Sequence, residues 1–534
     1  MSKKVCEIFK NEIESSEYNV IACKHNNQIR SLNHEIDEEN NIKLVDLRDR
    51  DGIRIYTRGL LYVMAKSFHE VYNGDLKVSV KYALSDAIYC EIYNQKTTDE
   101  IINNVKAKMQ EIIDNNLEIK KVVMSKEEAA EFYAKEKNNI GRLQMDETKQ
   151  KDRVTLYYCE NYYNYFFGVM PISTGYIKTY DIVKYADGFI IRYPNKKNPN
   201  KIEAYKETKK LLNTFNDYED INSILKVNNI YDLNKIVKQG KIEELILTAE
   251  SLHEKKIAEI ANKISDTNKK VVLIAGPSSS GKTTFAQRLG IQLKLNGLKA
   301  VTISVDNYFV EREDNPKDED GNYDFECIEA IDMKLLNEDL VKLLNGEEIE
   351  PPTFDFTQGK KVYNGEKLKL NPNEVLVLEG IHCLNDKLTE QISNDEKFKV
   401  YIAALTVLNV DQYNRVSTTD NRIIRRTVRD NKFRSHSAIN TLKMWYSISR
   451  GEEKYIYPFA ENCDVMFNSS LVYELGVLRN YILPLLEEID SSEEQYSEAR
   501  RLHEFISYFE PISIDYIPRN SIMREFIGEG SFYR

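Results

Sequence analysis

Gly276, Gly281, Lys282 and Thr283 fall at the spacing G-x-x-x-x-G-K-[ST], within the run Gly276-Pro277-Ser278-Ser279-Ser280-Gly281-Lys282-Thr283-Thr284. Glycines let a backbone curl so that successive N–H groups point at phosphate oxygens. A lysine then adds a point charge at the β and γ phosphates, and a threonine hydroxyl is a ligand for Mg²⁺. The stretch from Gly276 to Thr284 is therefore a candidate seat for a nucleoside triphosphate. Two acids stand at the ends of later apolar runs, Asp306 after Ala300–Val305 and Glu379 after Val375–Leu378. A carboxylate in the position of Asp306 can accept the proton of an attacking hydroxyl, contact the metal, or both. Glu379 is the carboxylate that Mg²⁺ needs beside Thr283. Arg422, Arg425, Arg426 and Arg429 recur at i, i+3, i+4 and i+7, one face of a helix. A solvated basic face is the ordinary use of such a run, but beside a phosphate loop arginines also suit the charge that spreads over a transferring phosphoryl.

The elements that must carry these groups are legible around them. Val271–Ala275 is an unbroken apolar run, as for a parallel strand covered on both faces. Behind the loop, Phe285, Leu289 and Leu293 mark a helix stripe that closes at Asn296-Gly297. That helix turns its positive dipole end toward the phosphates. Ala300–Val305 and Val375–Leu378 read as further buried strands, and ligands of open α/β sheets bind beyond the carboxyl ends of the strands, where Asp306 and Glu379 stand. Pro351–Phe356 is a rigid turn, and Phe354 on it either lines a base or sugar pocket or simply packs. Val465–Phe467 follows Asp464 as a last strand; Leu471–Ile489 and Ser491–Ser507 are helical, and Pro511–Arg534 forms a tail.

A chain of 534 residues exceeds one core, and at roughly 150 residues per domain it divides into three or four units. A net charge of −11 argues against a broad nucleic-acid-coating surface and leaves a local basic site open. The seven cysteines are odd in number, scattered and never C-x-x-C, the pattern of free thiols in a reducing compartment. The first residues lack an apolar signal core and no apolar run reaches ~18 residues, so the expectation is a cytoplasmic chain with no membrane partner. Homo-oligomer formation is left open.

In the first half, Val5–Phe9, Tyr18–Cys23, Gln28–Ile36, Ile42–Leu47 and Ile53–Tyr56 read as short strands, followed by a helix over Thr57–Tyr72. Thr97 with Glu100 and Ser125 with Glu128 read as capping boxes that open helices. The tyrosine-dense stretch Arg153–Tyr193 predicts half-buried strands, with base stacking as the rarer use. Lys201–Ile264 is helical.

Taken together, several ordered motifs resemble the uridine kinase and phosphoribulokinase family over about residues 265 to 480. They are the phosphate loop, Asp306 with Tyr308, Tyr323-Asp324-Phe325 followed by Asp332, Pro351–Phe356, Leu378–Leu384 and Arg422–Asp430. The resemblance implies that Asp306 is the general base and that Thr283 and Glu379 serve Mg²⁺. It implies that Tyr308 and Asp324 lie at the substrate, Asp324 on sugar hydroxyls, and that Arg425, Arg429 and Arg434 are lid or phosphate residues. One departure is Phe354-Asp355-Phe356 followed by Thr357-Gln358-Gly359-Lys360, where uridine kinases have Tyr-Asp-Phe and a nearby His; losing a hydroxyl and an imidazole removes hydrogen bonds to the base.

The first 230 residues or so resemble the N-terminal region of threonyl-tRNA synthetases, the TGS module plus the second additional domain. A small β unit ends in Leu44–Gly52, a helix follows, and strand segments run through Tyr158-Cys159 and Gly175–Tyr193. Where that family carries His-x-x-x-His on the helix, this chain has Arg58 and Tyr62, and its later segment Gly175–Ile182 offers neither Cys nor His, so the resemblance implies a scaffold, regulatory or nucleic-acid-sensing module without metal-assisted editing.

The expected architecture is thus multidomain α/β. It comprises a TGS-like β-grasp domain (1–56), an α+β domain (57–235), a connecting helix (236–264), a P-loop NTPase-type parallel-sheet kinase domain (265–480), and C-terminal helices with a tail (481–534). The expected activity is ATP- and Mg²⁺-dependent phosphorylation of the primary 5′ hydroxyl of a nucleoside, uridine first. The alternatives are a kinase for a non-nucleoside sugar or metabolite, and a nucleotide-gated RNA-binding regulator.

Overall fold

The computed structural model describes residues 2–37, 41–135, 153–318 and 321–532. Its centre is a five-stranded sheet built from β1 (Val271–Ala275), β2 (Lys299–Ser304), β3 (Glu374–Glu379), β4 (Lys397–Ala403) and β5 (Val465–Asn468). The spatial order is β2-β3-β1-β4-β5, and every pairing is parallel. Every residue of β1 is buried. Val272 and Ile274 enter the apolar cluster on one face, while Val271, Leu273 and Ala275 enter the cluster on the other. Parallel sheets need this double cover, and it is why the strand reads as a continuous apolar run instead of an alternating one.

One face is covered by α1 (Ile242–Thr267) and α2 (Lys282–Leu295), which pack against each other. Buried Arg288 of α2 joins them, donating to Glu254 at 2.7 Å and Glu250 at 3.3 Å. The arginine-rich run forms α3 (Thr418–Arg434), capped by the Ser417 hydroxyl, and α4 (Ala438–Tyr455) follows it. The expected connecting helix is two helices, Ile230–Lys238 and α1, broken at Gly240, whose φ of +68° ends the first of them.

The first half holds a three-stranded antiparallel sheet around Val20–His25 and a four-stranded antiparallel sheet around Ala87–Ile92 and Gly188–Arg192. Three local expectations fail here. Val5–Ile8 is helical because Val5, Phe9 and Ile13 recur every four residues and bury one stripe against Leu32 and Ile36. Ile53–Tyr56 is helical too. Asp49 accepts from the Asp51 N–H at 2.8 Å and starts a helix running from Arg50 to Tyr72 across the expected boundary at residue 56. The cap of the Asp99–Asp114 helix is Thr98, not Thr97, because the Thr97 N–H is held by the Asp187 carbonyl in the preceding loop. The Ser125–Glu128 box forms reciprocally, at 2.9 and 3.1 Å. Tyr157, Tyr162 and Tyr165 are buried, the packing use of the tyrosine-rich stretch. All seven cysteines are free. No helix among the described residues is long and apolar enough to cross a membrane.

The halves share core. Tyr82, Leu84 and Tyr89 of the antiparallel sheet pack in the same cluster as Val271 and Leu376 of the parallel one. A polar network adds to this contact. Arg54 donates to Glu498 at 2.6 and 2.9 Å, and Arg501 donates to Asp420, in the first turn of α3, at 2.7 Å through both terminal nitrogens. Both residues at 498 and 501 lie on α5 (Tyr496–Ile506). Removing one member of a largely buried network strands the others without counter-charge, which costs about 3–5 kcal/mol. Glu498→Ala is therefore expected to lower the urea midpoint by an amount corresponding to about 3–5 kcal/mol. An unchanged midpoint would show that solvent already screens the network.

Candidate phosphate-transfer site

The site begins where β1 runs out. A Cβ on Gly276 would lie 2.2 Å from the Ile402 carbonyl oxygen of β4, so only glycine lets the chain leave the sheet this way. Ser279 at φ +59° and Gly281 at φ +85° complete the curl, and α2 starts at Lys282, so its N-terminal end meets the loop. The Lys282 ammonium donates to the Gly276 and Pro277 carbonyls at 3.0 and 3.3 Å. Ser280 closes the turn by donating its N–H to the Pro277 carbonyl at 3.3 Å. Thr283 is exposed and Thr284 buried, the latter donating through its hydroxyl to Glu525 at 2.8 Å.

The loop is held from behind by α3 and α4. Arg422 Nε donates to the Ser278 carbonyl at 3.0 Å, Arg425 donates to the Ser279 carbonyl at 3.4 Å, and Arg426 donates to the Ser278 hydroxyl. Glu452 accepts the Ser278 N–H at 3.0 Å while pairing with Arg422 and accepting from the Tyr457 hydroxyl. Arg425 is fully buried and pairs with Glu474, with further donation to Ser469. Of the lid or phosphate role expected for Arg425, burial leaves no room for a lid: its guanidinium supports the loop from within the protein. Arg429 and Arg434, half-buried and exposed respectively, keep a share of their charge toward the cleft, where both act on Asp306.

Parallel register brings the acids together. Ile274 of β1 and Ser304 of β2 are both rung partners of Glu379 on β3, and Asp306 stands two residues beyond that rung. Asp306 is exposed at its tip although protein packs around it. Burial raises its carboxyl above the usual range, opposed by the charges of Lys282, Arg434 and Arg429. Glu379 is 8% exposed. Burial first, and then repulsion from Asp306, push it up to about 7, with Lys282 and the Ser304 hydroxyl easing the shift. A buried carboxylate raised further by a second one beside it is a setting in which a divalent cation is welcome. Among the described residues no three His, Cys, Asp or Glu side chains converge as an all-protein metal cage. Two carboxylates and the Thr283 hydroxyl instead fit Mg²⁺, which takes one or two carboxylates and completes its shell from phosphates and water.

Other sequence-derived candidates are distributed differently. Tyr308 is corrected: it is buried and its hydroxyl donates to Asp339 at 3.0 Å, because the short 3₁₀ turn Val305–Tyr308 sends the side chain inward. It anchors the Asp306 turn instead of lining the cleft. Phe354 sits beside the site, its N–H donating to the Asn307 side chain at 3.4 Å and its ring 5.6 Å from Phe309 and 5.1 Å from Phe356. Phe356 is 60% exposed, so this aromatic wall has an open side. Asp324 accepts from the Tyr455 hydroxyl at 3.0 Å and from the Glu326 N–H at 3.2 Å.

Glu326 is the acid that sequence reasoning missed. Burial and repulsion from Glu452 push it up to about 7, against the pull of Arg426, and it also feels Asp306 and Lys282. Its signal was the second acid in Asp324-Phe325-Glu326, two residues on and so within the same short segment. Glu452, Glu474 and Glu525 were also missed, since each lies far along the chain from the loop it serves.

Residues 271–474 match the model of the Phosphoribulokinase / Uridine kinase family. A protein named uridine kinase from Halobacterium salinarum is 28% identical over 36% of this chain and 77% of its own length. Uridine kinases from Lactobacillus helveticus and Anoxybacillus flavithermus are 28% and 29% identical, each over 37% of this chain and 84% of their own length. Residues 271–474 thus resemble a P-loop kinase domain of the Phosphoribulokinase / Uridine kinase family.

Proposed function

We propose that this chain transfers the γ-phosphoryl group of ATP to the primary 5′ hydroxyl of a nucleoside of the uridine type. The observation that carries the reading is the juxtaposition of Asp306 and Glu379 at neighbouring tips of parallel strands, with Lys282 of the phosphate loop acting on both. The family match over residues 271–474 and the names of the relatives support the acceptor class.

In this mechanism the loop N–H groups and Lys282 fix the triphosphate, and in-line geometry leaves the protein mainly positioning and charge to supply. Asp306 takes the proton from the acceptor hydroxyl, and a carboxyl that burial makes more basic is better matched to that task than an ordinary one. Arg429 and Arg434 face the charge on the transferring phosphoryl. Thr283, Glu379 and Asp306 would hold Mg²⁺, which when bound neutralises charge on the β and γ phosphate oxygens. Glu326 joins Asp324 as a candidate for holding the acceptor.

One observation favours a second acceptor class. Asp355 accepts from the Thr357 and Gln358 N–H groups at 2.8 and 3.0 Å, so its carboxylate closes its own turn and the wall it belongs to is aromatic. Such a wall stacks on a ring without reading the hydrogen bonds of a pyrimidine, which keeps a sugar or other small alcohol as the alternative acceptor.

For the first half we infer a module of the TGS and second-additional-domain kind, retained as scaffold. The helix positions that would hold imidazoles carry Arg58, donating to the Val169 carbonyl at 2.8 Å, and Tyr62, donating to the Tyr157 and Tyr162 carbonyls at 3.2 and 3.1 Å. Lys66, fully buried one turn on, fills the same interior.

Asp306→Asn is expected to keep ATP affinity and lose about 10²- to 10⁴-fold in turnover, read by steady-state kinetics beside equilibrium nucleotide binding. A near wild-type rate would remove Asp306 from the base role. A panel of nucleosides and pentoses, scored by ADP release, is expected to show turnover with uridine-type nucleosides; turnover with pentoses alone would move the reading to the sugar acceptor.

A further inference from the structure

The segment that follows α5 comes back to the phosphate loop. Ile522, Met523, Phe526 and Ile527 are fully buried. The Arg425 guanidinium lies 4.9 Å from the centre of the Phe526 ring, and the Lys432 ammonium donates to the Ile527 carbonyl, so the segment is seated on α3. Arg524 stiffens it from within by donating to the Ile514, Ile517 and Gly528 carbonyls at 3.2, 2.6 and 3.3 Å. On the other side a methyl of Ile522 lies 2.7 Å from where a Cβ of Gly281 would stand, so the loop and this segment touch.

This seating delivers one charged group to the loop. Glu525 Oε2 accepts from the Thr284 hydroxyl at 2.8 Å and from the Thr284 N–H at 3.3 Å. Thr284 is the third residue of α2, so its N–H is one of the donors that no carbonyl of the helix itself accepts. These donors and the helix dipole make an anion seat, and in a loop of this spacing they cradle the α and β phosphates. A carboxylate on the same donors competes with a phosphate oxygen for them, and its charge opposes the arrival of a triphosphate. The field of Glu525 also reaches Glu379 and Arg434, which places it on the cleft side.

We infer that Glu525 is an internal competitor for the nucleotide: an autoinhibitory carboxylate, carried by the segment around Ile522–Ile527, that occupies the Thr284 donors until ATP displaces it. The inference rests on reading the loop as the ATP seat and is independent of which hydroxyl accepts the phosphoryl.

Glu525→Gln tests it, because the amide keeps the shape and an acceptor oxygen while removing the charge. The full-length variant is expected to bind a non-hydrolysable ATP analogue with Mg²⁺ about tenfold tighter than the wild type, since charge-assisted hydrogen bonds are roughly twice as strong as neutral ones. Hydrogen exchange on the wild type supplies a second readout: the analogue is expected to speed amide exchange in residues 521–528. Equal or weaker binding by the variant overturns the inference, as does slower exchange in that segment, which would make Glu525 part of the nucleotide site. Neither readout needs an acceptor. An inert acceptor panel with the binding gain intact would therefore count against the proposed activity alone, and a working kinase with unchanged variant affinity would count against this inference alone.

Discussion

The register of three parallel strands is the constraint on which the rest of the site depends. With Ile274, Glu379 and Ser304 on one rung, β1, β3 and β2 end at a common edge. The glycine loop, the buried acid and the turn that carries Asp306 are thereby presented to the same volume. A shift of one residue on β3 would turn Glu379 to the other face of the sheet, because side chains alternate along a strand. The double apolar cover that fixes this register therefore also brings the carboxylates together at one edge; burial raises the pKa of both, and the nearness of Asp306 raises that of Glu379 further.

A second layer of structure converts a flexible loop into a fixed one. Successive outward-facing groups of the loop, at Ser278 and Ser279, end on arginines of α3. Those arginines are affordable in the interior only because Glu452 and Glu474 neutralise them. Asp420, at the start of the same helix, is held by Arg501, which shares Glu498 with Arg54 of the first half. The helix that braces the phosphate loop is thus itself braced by the module that precedes the kinase domain, a physical link between two halves whose sequences look independent.

What was legible in the sequence was what local spacing determines. The loop glycines, the apolar run before them and the strand-end acids are each specified within a few residues, and the fold has the run on a buried strand, the loop at the start of a helix and the acids at strand ends. Helix periodicity correctly put the arginines on one face. It could not say which of them would be buried, because their partners Glu452 and Glu474 lie on other elements. Tyr308 was misread because a 3₁₀ turn after β2 reverses the direction its place in the motif suggested. The early start of the helix at Arg50 escaped because Asp49–Gly52 is equally a turn signal; what decides is that Asp49 caps the helix by accepting from the Asp51 N–H, and Gly52 is the residue that fits against the Asp46 carbonyl there. Glu525 lies far along the chain from the donors it meets, beyond the reach of any motif.

The central claim is that Thr283, Glu379 and Asp306 surround one point above the glycine loop. Its most direct test is a crystal structure of the full chain with Mg²⁺ and a non-hydrolysable ATP analogue. The account predicts the metal between the β and γ phosphates, with the Thr283 hydroxyl in its shell and a carboxylate of Glu379 or Asp306 bound directly or through one water. A metal coordinated away from both carboxylates, or phosphates seated elsewhere than on the loop, would contradict it.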